Sequence, residues 1–216
     1  MNDAAFDPAA LPSASPYALP TEATPARVTW PLDASRAALL IHDMQAYFLR
    51  VFPGRSGPVP ELVANIRRLR DRCDERGIPV FYTAQRPHAH APDRGLQADF
   101  WGPGMSDRDE DRAIVTELAP RPGHEVLRKW RYSAFQRAPL QEMLATRGRD
   151  QLIVTGVYAN IGCLLTAADA FMRDIQPFMP VDAVADFTLD RHLAATRWVG
   201  DHLGRTPTVE QALEEL

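Results

Sequence analysis

The chain has 216 residues, 45% of them hydrophobic, with a formal net charge of −4 and a sequence pI of about 5.9. That length suits one large domain with a substantial core, and its interspersed charges of both signs argue against a nucleic-acid surface or an attraction to anionic membranes. No apolar run approaches the roughly 20 residues of a spanning helix, and two cysteines, Cys73 and Cys163, are too few for a disulfide framework or a structural zinc site.

Residues 1–28 are rich in Ala, Pro and Ser without periodicity, which predicts a flexible arm, and the folded domain is expected over 29–216. The start, MNDAAFDPAALPSASP, has neither a basic n-region nor an apolar h-region. It does not read as a signal peptide, and a cytoplasmic protein with reduced thiols is expected. Residues 36–42 (RAALLIH) form a short continuous apolar strand. Residues 60–76 predict a helix with Leu62, Val63, Ile66, Leu69 and Cys73 on one face, Pro60 in its first turn and Gly77 at its stop. A second strand is expected over 78–84. A long irregular stretch, 85–106, follows with Arg-Pro, Ala-Pro and Gly-Pro-Gly punctuation. The remaining elements are a short helix over 107–118, a strand over 125–129, a helix over 139–147, a strand over 151–157, a helix over 160–174, a strand over 177–184 and a helix over 189–203. Residues 205–216 contain Pro207 and predict at most a brief edge strand. Continuous apolar strands alternating with helices predict an α/β three-layer sandwich. Its open parallel sheet has five strands, plus at most a short edge strand, with helices on both faces.

The segment QLIVTGVYANIGCLLTAADAFMRD, residues 151–174, is a buried strand feeding a helix through a tight turn, where open α/β sheets bind ligands. Cysteine hydrolases of this layout place their thiol at the turn. Here Gly162 stands at the matching position and Cys163 comes one residue late. One step along a helix rotates a side chain by about 100°, so the thiol is expected to face away and the chemistry to come from elsewhere.

The other strand ends supply the candidates. The first ends in His42-Asp43-Met44-Gln45, the second in Thr83-Ala84-Gln85, the third in Lys129-Trp130-Arg131-Tyr132 and the fourth in Tyr158-Ala159-Asn160-Ile161-Gly162. Asp43, after an apolar strand, reads as an acid or base whose burial raises its pKa, or else as a turn aspartate. Lys129 reads as a seat for a substrate carboxylate or as an exposed lysine; both residues follow strands expected to be neighbours. Arg94 is either a second anion seat or a surface partner of Asp93 and Asp99. Trp101 walls a pocket or anchors its loop, and Gly162 permits close approach of a ligand or only tight strand–helix packing. The helix starting near Asn160 is expected to aim its N–H groups at this rim. His42 is expected on the opposite face. His88 and His90 lack a third ligand at metal spacing, so no metal site is expected. Asp169, Asp174, Asp182 and Asp186 are expected to be mostly solvated or capping.

The segments LLIHDMQAYF, YTAQ, RGLQADFWGPGM, KWRYSAF, TGVYANIGCLLTAADAFMRDIQPFM and DAVADF resemble the isochorismatase family over roughly residues 30–204. The likeness extends to members acting on isochorismate in aryl-siderophore pathways and on 2-amino-2-deoxyisochorismate in phenazine-type pathways. It implies a six-stranded parallel sheet between helices, in a dimer or higher homo-oligomer that needs no metal or cofactor and takes a small chorismate-derived substrate. It implies hydrolysis of that substrate's vinyl ether to pyruvate and a trans-dihydro product. By this resemblance Asp43 matches the general acid and Lys129 the lysine beside it. Gln85, Arg94, Trp101, Tyr132, Tyr158 and Gly162 match substrate-pocket positions. Asn160 departs from the histidine common in similar members, and the apolar last strand is missing. No carrier-protein segment follows, so a free-standing enzyme is expected. The competing readings are a cysteine amidase acting through Cys163 and a non-catalytic binding subunit.

Overall fold

The computed structural model describes residues 11–54, 57–87 and 91–216. Six strands, β1 Ala37–His42, β2 Val80–Ala84, β3 Glu125–Arg128, β4 Gln151–Val157, β5 Gln176–Phe178 and β6 Val184–Ala185, form one open parallel sheet. The strand order is β3-β2-β1-β4-β5, with β6 also beside β4. The helices are α1 Ala46–Leu49, α2 Val59–Arg76, α3 Ala91–Arg94, α4 Gln97–Trp101, α5 Asp109–Arg112, α6 Leu140–Thr146, α7 Leu164–Phe171, α8 Leu189–His202 and α9 Val209–Glu215. A 3₁₀ turn, Thr116–Leu118, and a π-helical turn, Ala159–Cys163, complete the set.

Alternation along the buried strands divides the core into two layers. Leu39, Ile41, Val80, Tyr82 and Ile153 pack with α2 residues Leu62, Ile66 and Leu69 and with Val209 and Ala212 of α9. Ala38, Leu40, Phe81, Leu152 and Val154 face the other way, onto Leu140 and Leu144 of α6, Ala167 of α7 and Val199 of α8. Side chains of a strand alternate between faces, so a doubly covered sheet needs apolar residues at every position. That is why these strands read as unbroken apolar runs. From β1 the chain proceeds to β2 and β3 on one side, then returns to place β4 on the other. The crevice between β1 and β4 at their carboxyl ends is therefore a topological switch point.

Most element ends carry their expected signals. Gly77 closes α2 in the left-handed region at φ 64°, where a residue without Cβ is least strained. Five expectations need correction. The strand expected over 177–184 is two, β5 and β6, because Met179 and Val181 donate to the carbonyls of Arg205 and Pro207 instead of pairing with β4. The C-terminal segment provides only bridge residues, Arg205 and Thr206, before entering α9, which begins with a reciprocal cap between Thr208 and Gln211. The helix expected over 107–118 breaks into α5 and the 3₁₀ turn, because Ile114 bridges Gln45 in extended form. The irregular stretch 85–106 contains α3 and α4. Finally, residues 11–28 of the expected flexible arm lie against their own chain: Leu19 is buried, Ala14 and Ser15 donate to the carbonyls of Val51 and Phe187, and Thr24 bridges Thr206. Apolar Leu11, Tyr17 and Leu19 give this segment something to bury, which composition alone did not disclose. His88 and His90 lie outside the described residues.

Candidate active site

The strand ends on both sides of the switch point converge on a cavity, the place where open α/β sheets bind ligands. All eight residues singled out from the sequence line it: Asp43, Gln85, Arg94, Trp101, Lys129, Tyr132, Tyr158 and Gly162.

Asp43 sits directly after β1 with a φ of 51°, unusual for a residue bearing a side chain. This local strain turns its carboxylate toward the ends of β2 and β3. The Thr83 hydroxyl donates to Asp43 Oδ1 at 2.6 Å and accepts the Asp43 backbone N–H at 3.1 Å. Lys129 Nζ donates to Oδ2 at 3.0 Å, and both side chains of that pair are buried. The sequence reading placed the strands of Asp43 and Lys129 side by side, but β2 lies between β1 and β3. The lysine spans that strand, and Thr83 fills the gap beneath it. Burial opposes the charge on Asp43. The neighbouring His42 and Lys129 and the hydrogen bonds from Thr83 and Lys129 more than offset it, so the carboxyl is held below the usual range. With these partners Asp43 is a carboxylate, contrary to the protonated acid expected from burial alone. His42 is held neutral at pH 7, its pKa pushed down to about 4 by burial, so Lys129 is the cation that stabilises it.

His42 also corrects the sequence reading, which sent it to the opposite face. The strand alternation stops at Asp43, and the imidazole lies beside the carboxylate, with Nδ1 3.6 Å from Asp43 Oδ2. Its nitrogens approach the carbonyls of Val157 at 2.9 Å and Tyr132 at 3.2 Å. Gly162 makes room for it: a Cβ there would stand 2.1 Å from His42 Cε1.

The walls are built from α1, α3, α4 and the π turn. Tyr47 and Phe48 come from α1, and Gln97 and Trp101 from α4. Trp101 Nε1 donates to the Tyr132 hydroxyl at 2.7 Å, joining the α4 wall to the segment after β3. Arg94 is buried, donates to the Gly102 carbonyl at 2.9 Å and lies over Gly104, where a Cβ would meet its guanidinium. No carboxylate pairs with Arg94 among the described residues, and burial pushes its pKa below the ordinary guanidinium value. The Tyr158 hydroxyl donates to the Phe48 carbonyl at 2.8 Å while its ring stacks on Phe187, so it shapes the cavity with no proton to spare. Burial raises its pKa well above the ordinary phenol value. Gln85 is fixed by Gln45, which accepts the Gln85 N–H at 2.7 Å and donates to its carbonyl at 3.0 Å.

Cys163 is fully buried in the layer under α7, with its sulfur 3.9 Å from the Thr155 carbonyl, and burial pushes its pKa well above the ordinary thiol value. It is not a wall of the cavity. The expected donors at the helix start are also engaged, since the Asn160 N–H binds Asp186 Oδ2 at 2.6 Å. Asp182 likewise caps α9 through the Val209 N–H at 2.7 Å, and Asp169 is buried among Ser133, Gln136 and Arg173. Sequence reasoning set His42 aside, gave Thr83 at its strand end no role, and missed Tyr47, Phe48 and Gln97. The signal for Thr83 was present: it ends a buried strand beside the carboxylate-bearing one. Nothing local announced His42, because its placement follows from an absent side chain 120 positions away in sequence, at Gly162.

Comparison with known proteins follows the same outline. The isochorismatase domain profile matches residues 37–211. The isochorismatase of Bacillus subtilis is 48% identical over 209 residues, covering 96% of this chain and 67% of that protein. Phenazine biosynthesis protein PhzD of Pseudomonas fluorescens is 44% identical over 205 residues, covering 94% of this chain and 98% of that protein. In fold, the chain is similar to an isochorismatase family protein from Burkholderia thailandensis, with a TM-score of 0.77, 24% identity and coverage of 87% of this chain and 99% of that one.

Proposed function

This chain belongs to the isochorismatase family, and from that premise we propose that its cavity hydrolyses the vinyl ether of a chorismate-type ring, releasing pyruvate. The observation that carries the reading is a buried carboxylate, bonded to Thr83 and Lys129, in a cavity where residue 162 is glycine and the adjacent thiol faces the core. Such a site has a proton carrier and no nucleophile.

A vinyl ether is cleaved by protonating its terminal carbon. Asp43 in its acid form gives that proton, and the ether oxygen stabilises the resulting cation. Water adds to the cationic carbon and passes a proton back to Asp43. The hemiketal then collapses to pyruvate and the ring alcohol, so one water is consumed and no other reactant is needed. The partners described hold Asp43 as a carboxylate, so substrate binding must bring about its protonation. A substrate carboxylate drawn to Lys129 neutralises the charge that held Asp43 ionised and sets a second anion beside it, and both effects raise its pKa. Arg94, buried without a carboxylate partner among the described residues, is a seat for the other carboxylate. Tyr132, Trp101, Tyr158 and Gln85 shape and orient the ring, and Gly162 completes the wall.

The substrates that fit this reading carry a hydroxyl or an amine at the ring carbon next to the ether. Offering isochorismate and 2-amino-2-deoxyisochorismate side by side, with pyruvate read through lactate dehydrogenase, tests it. Release from at least one is expected; release from neither refutes the reading. A cytoplasmic homo-oligomer is part of the same proposal, supported by the exposed apolar Leu165, Phe171 and Met172 on and just after α7. Light scattering that returns a monomer mass would contradict it.

A further inference from the structure

His42 has no part in the reaction as described, yet its ring is completely buried and its Nδ1 lies 3.6 Å from Asp43 Oδ2. Three observations set it apart from a filler of space. Its two nitrogens lie beside two backbone carbonyls, one at the end of β4 and one after β3, and the single N–H of a neutral ring can serve one of them. Its Nδ1 faces both the Val157 carbonyl at 2.9 Å and Asp43 Oδ2 at 3.6 Å, so an N–H there is attracted by two oxygens at once. Finally, the ring fills the volume that any side chain on residue 162 would need, with Cε1, Nε2 and Nδ1 at 2.1, 2.8 and 2.9 Å from the position of a Cβ.

We propose that His42 is a positioning residue for Asp43, and that Gly162 is the berth that admits its imidazole. The claim deepens the proposed function and rests on it for its kinetic consequences. Asp43 holds a left-handed backbone conformation at φ 51°, which a residue with Cβ keeps only when its surroundings determine it. Thr83 and Lys129 hold the carboxylate from the β2 and β3 side. His42 stands beside it on the β4 side, with Nδ1 3.6 Å from Oδ2. Neutral His42 carries one N–H, and the Nδ1–H tautomer is the one that faces the carboxylate with a donor instead of a lone pair. The titratable groups that act on the ring among the described residues are Asp43 on its own chain segment and Lys129 after β3. The imidazole and a side chain at residue 162 exclude one another, so a thiol nucleophile at that position and this support for an acid cannot coexist without rearrangement.

The test uses three single variants and one double variant of the full chain, with circular dichroism to confirm folding. His42→Leu keeps bulk without the donor, and His42→Asn returns an amide nitrogen near the place of Nδ1. Gly162→Ala adds only a methyl group that displaces the ring. His42→Leu and Gly162→Ala are expected to lower kcat about 100-fold, the effect of a misplaced reacting group, with KM within about threefold of the original. His42→Asn is expected to restore kcat to within about tenfold. Adding Gly162→Ala to His42→Leu is expected to cost less than about threefold more, because the shared support is already lost. A readout free of substrate, the Asp43 carboxyl resonance followed by carbon-13 NMR, is expected to titrate about one pH unit higher in His42→Leu and in Gly162→Ala, since a donor to the charged form has gone. If His42→Leu does not fold, Gly162→Ala and His42→Asn carry the test. A folded displacement variant with unchanged kcat and an unchanged Asp43 midpoint overturns the proposal. If the original protein cleaves no enol ether, the titration still decides whether His42 supports Asp43, so the two failures are distinguishable.

Discussion

At the scale of single residues, the site depends on how a buried carboxylate is surrounded. Thr83 closes one oxygen of Asp43 and Lys129 the other. Thr83→Val removes a hydroxyl without removing volume, and kcat is expected to fall about tenfold, in keeping with one lost hydrogen bond of roughly 1–1.5 kcal/mol; steady-state pyruvate release reads it. Cys163→Ala is expected to leave kcat/KM within about threefold, because the thiol is sealed under α7 and does no chemistry; inactivation by this change would return the site to the cysteine hydrolases. Asp43, Lys129 and Gln85 were legible in the sequence because parallel sheets present the residues after their strands to a common rim. The charge state of Asp43 was not. Burial argued for a neutral acid, and only the geometry places Lys129 and Thr83 close enough to reverse it.

At the scale of elements, periodicity identified the strands and long helices that have uniform surroundings. β4 and α2 stand within one residue of where the apolar pattern put them. It did less well where backbone hydrogen bonds came from distant segments. Residues 179–183 read as strand but bond to 205–207 and turn back at Pro180, splitting β5 from β6. Helix α9 had a signal that was overlooked, Thr208 with Gln211 three positions on. Its capping bonds, 3.0 and 3.2 Å long, give a direct expectation. Thr208→Ala should lower stability by about 1 kcal/mol, measured by urea unfolding with an unchanged m-value. No loss would mean that burial of Val209 and Ala212 alone holds this helix.

At the scale of the whole molecule, two core layers and the fold class followed from uninterrupted apolar strands, whereas the seating of residues 11–28 across the body did not. That segment meets its partners through tertiary contacts such as the Tyr17 hydroxyl accepting the Asp186 N–H at 2.8 Å, which no local pattern encodes. The buried titratable groups also set how the fold responds to acid. His42 and His192 have their pKa values pushed down by burial from 6.5 to about 4. Each binds a proton in the unfolded chain before it does in the folded one, so stability falls as pH drops through that window, by up to ~3 kcal/mol per histidine. Asp186, pushed up by burial from 3.8 to about 6, acts in the opposite sense, because its folded form takes up a proton first. The two histidines outweigh the one aspartate, and the melting temperature is expected to fall from pH 7 to pH 4; a flat profile would contradict the burial of these rings. On the proposed reading the fold as a whole serves to hold one carboxyl where a proton is needed, and Asp43→Asn tests that most directly. With isochorismate or its amino counterpart, whichever the original protein cleaves, binding by calorimetry should stay within about threefold while pyruvate release falls at least about a thousandfold. Release within about tenfold of the original rate would show that the proton comes from another group.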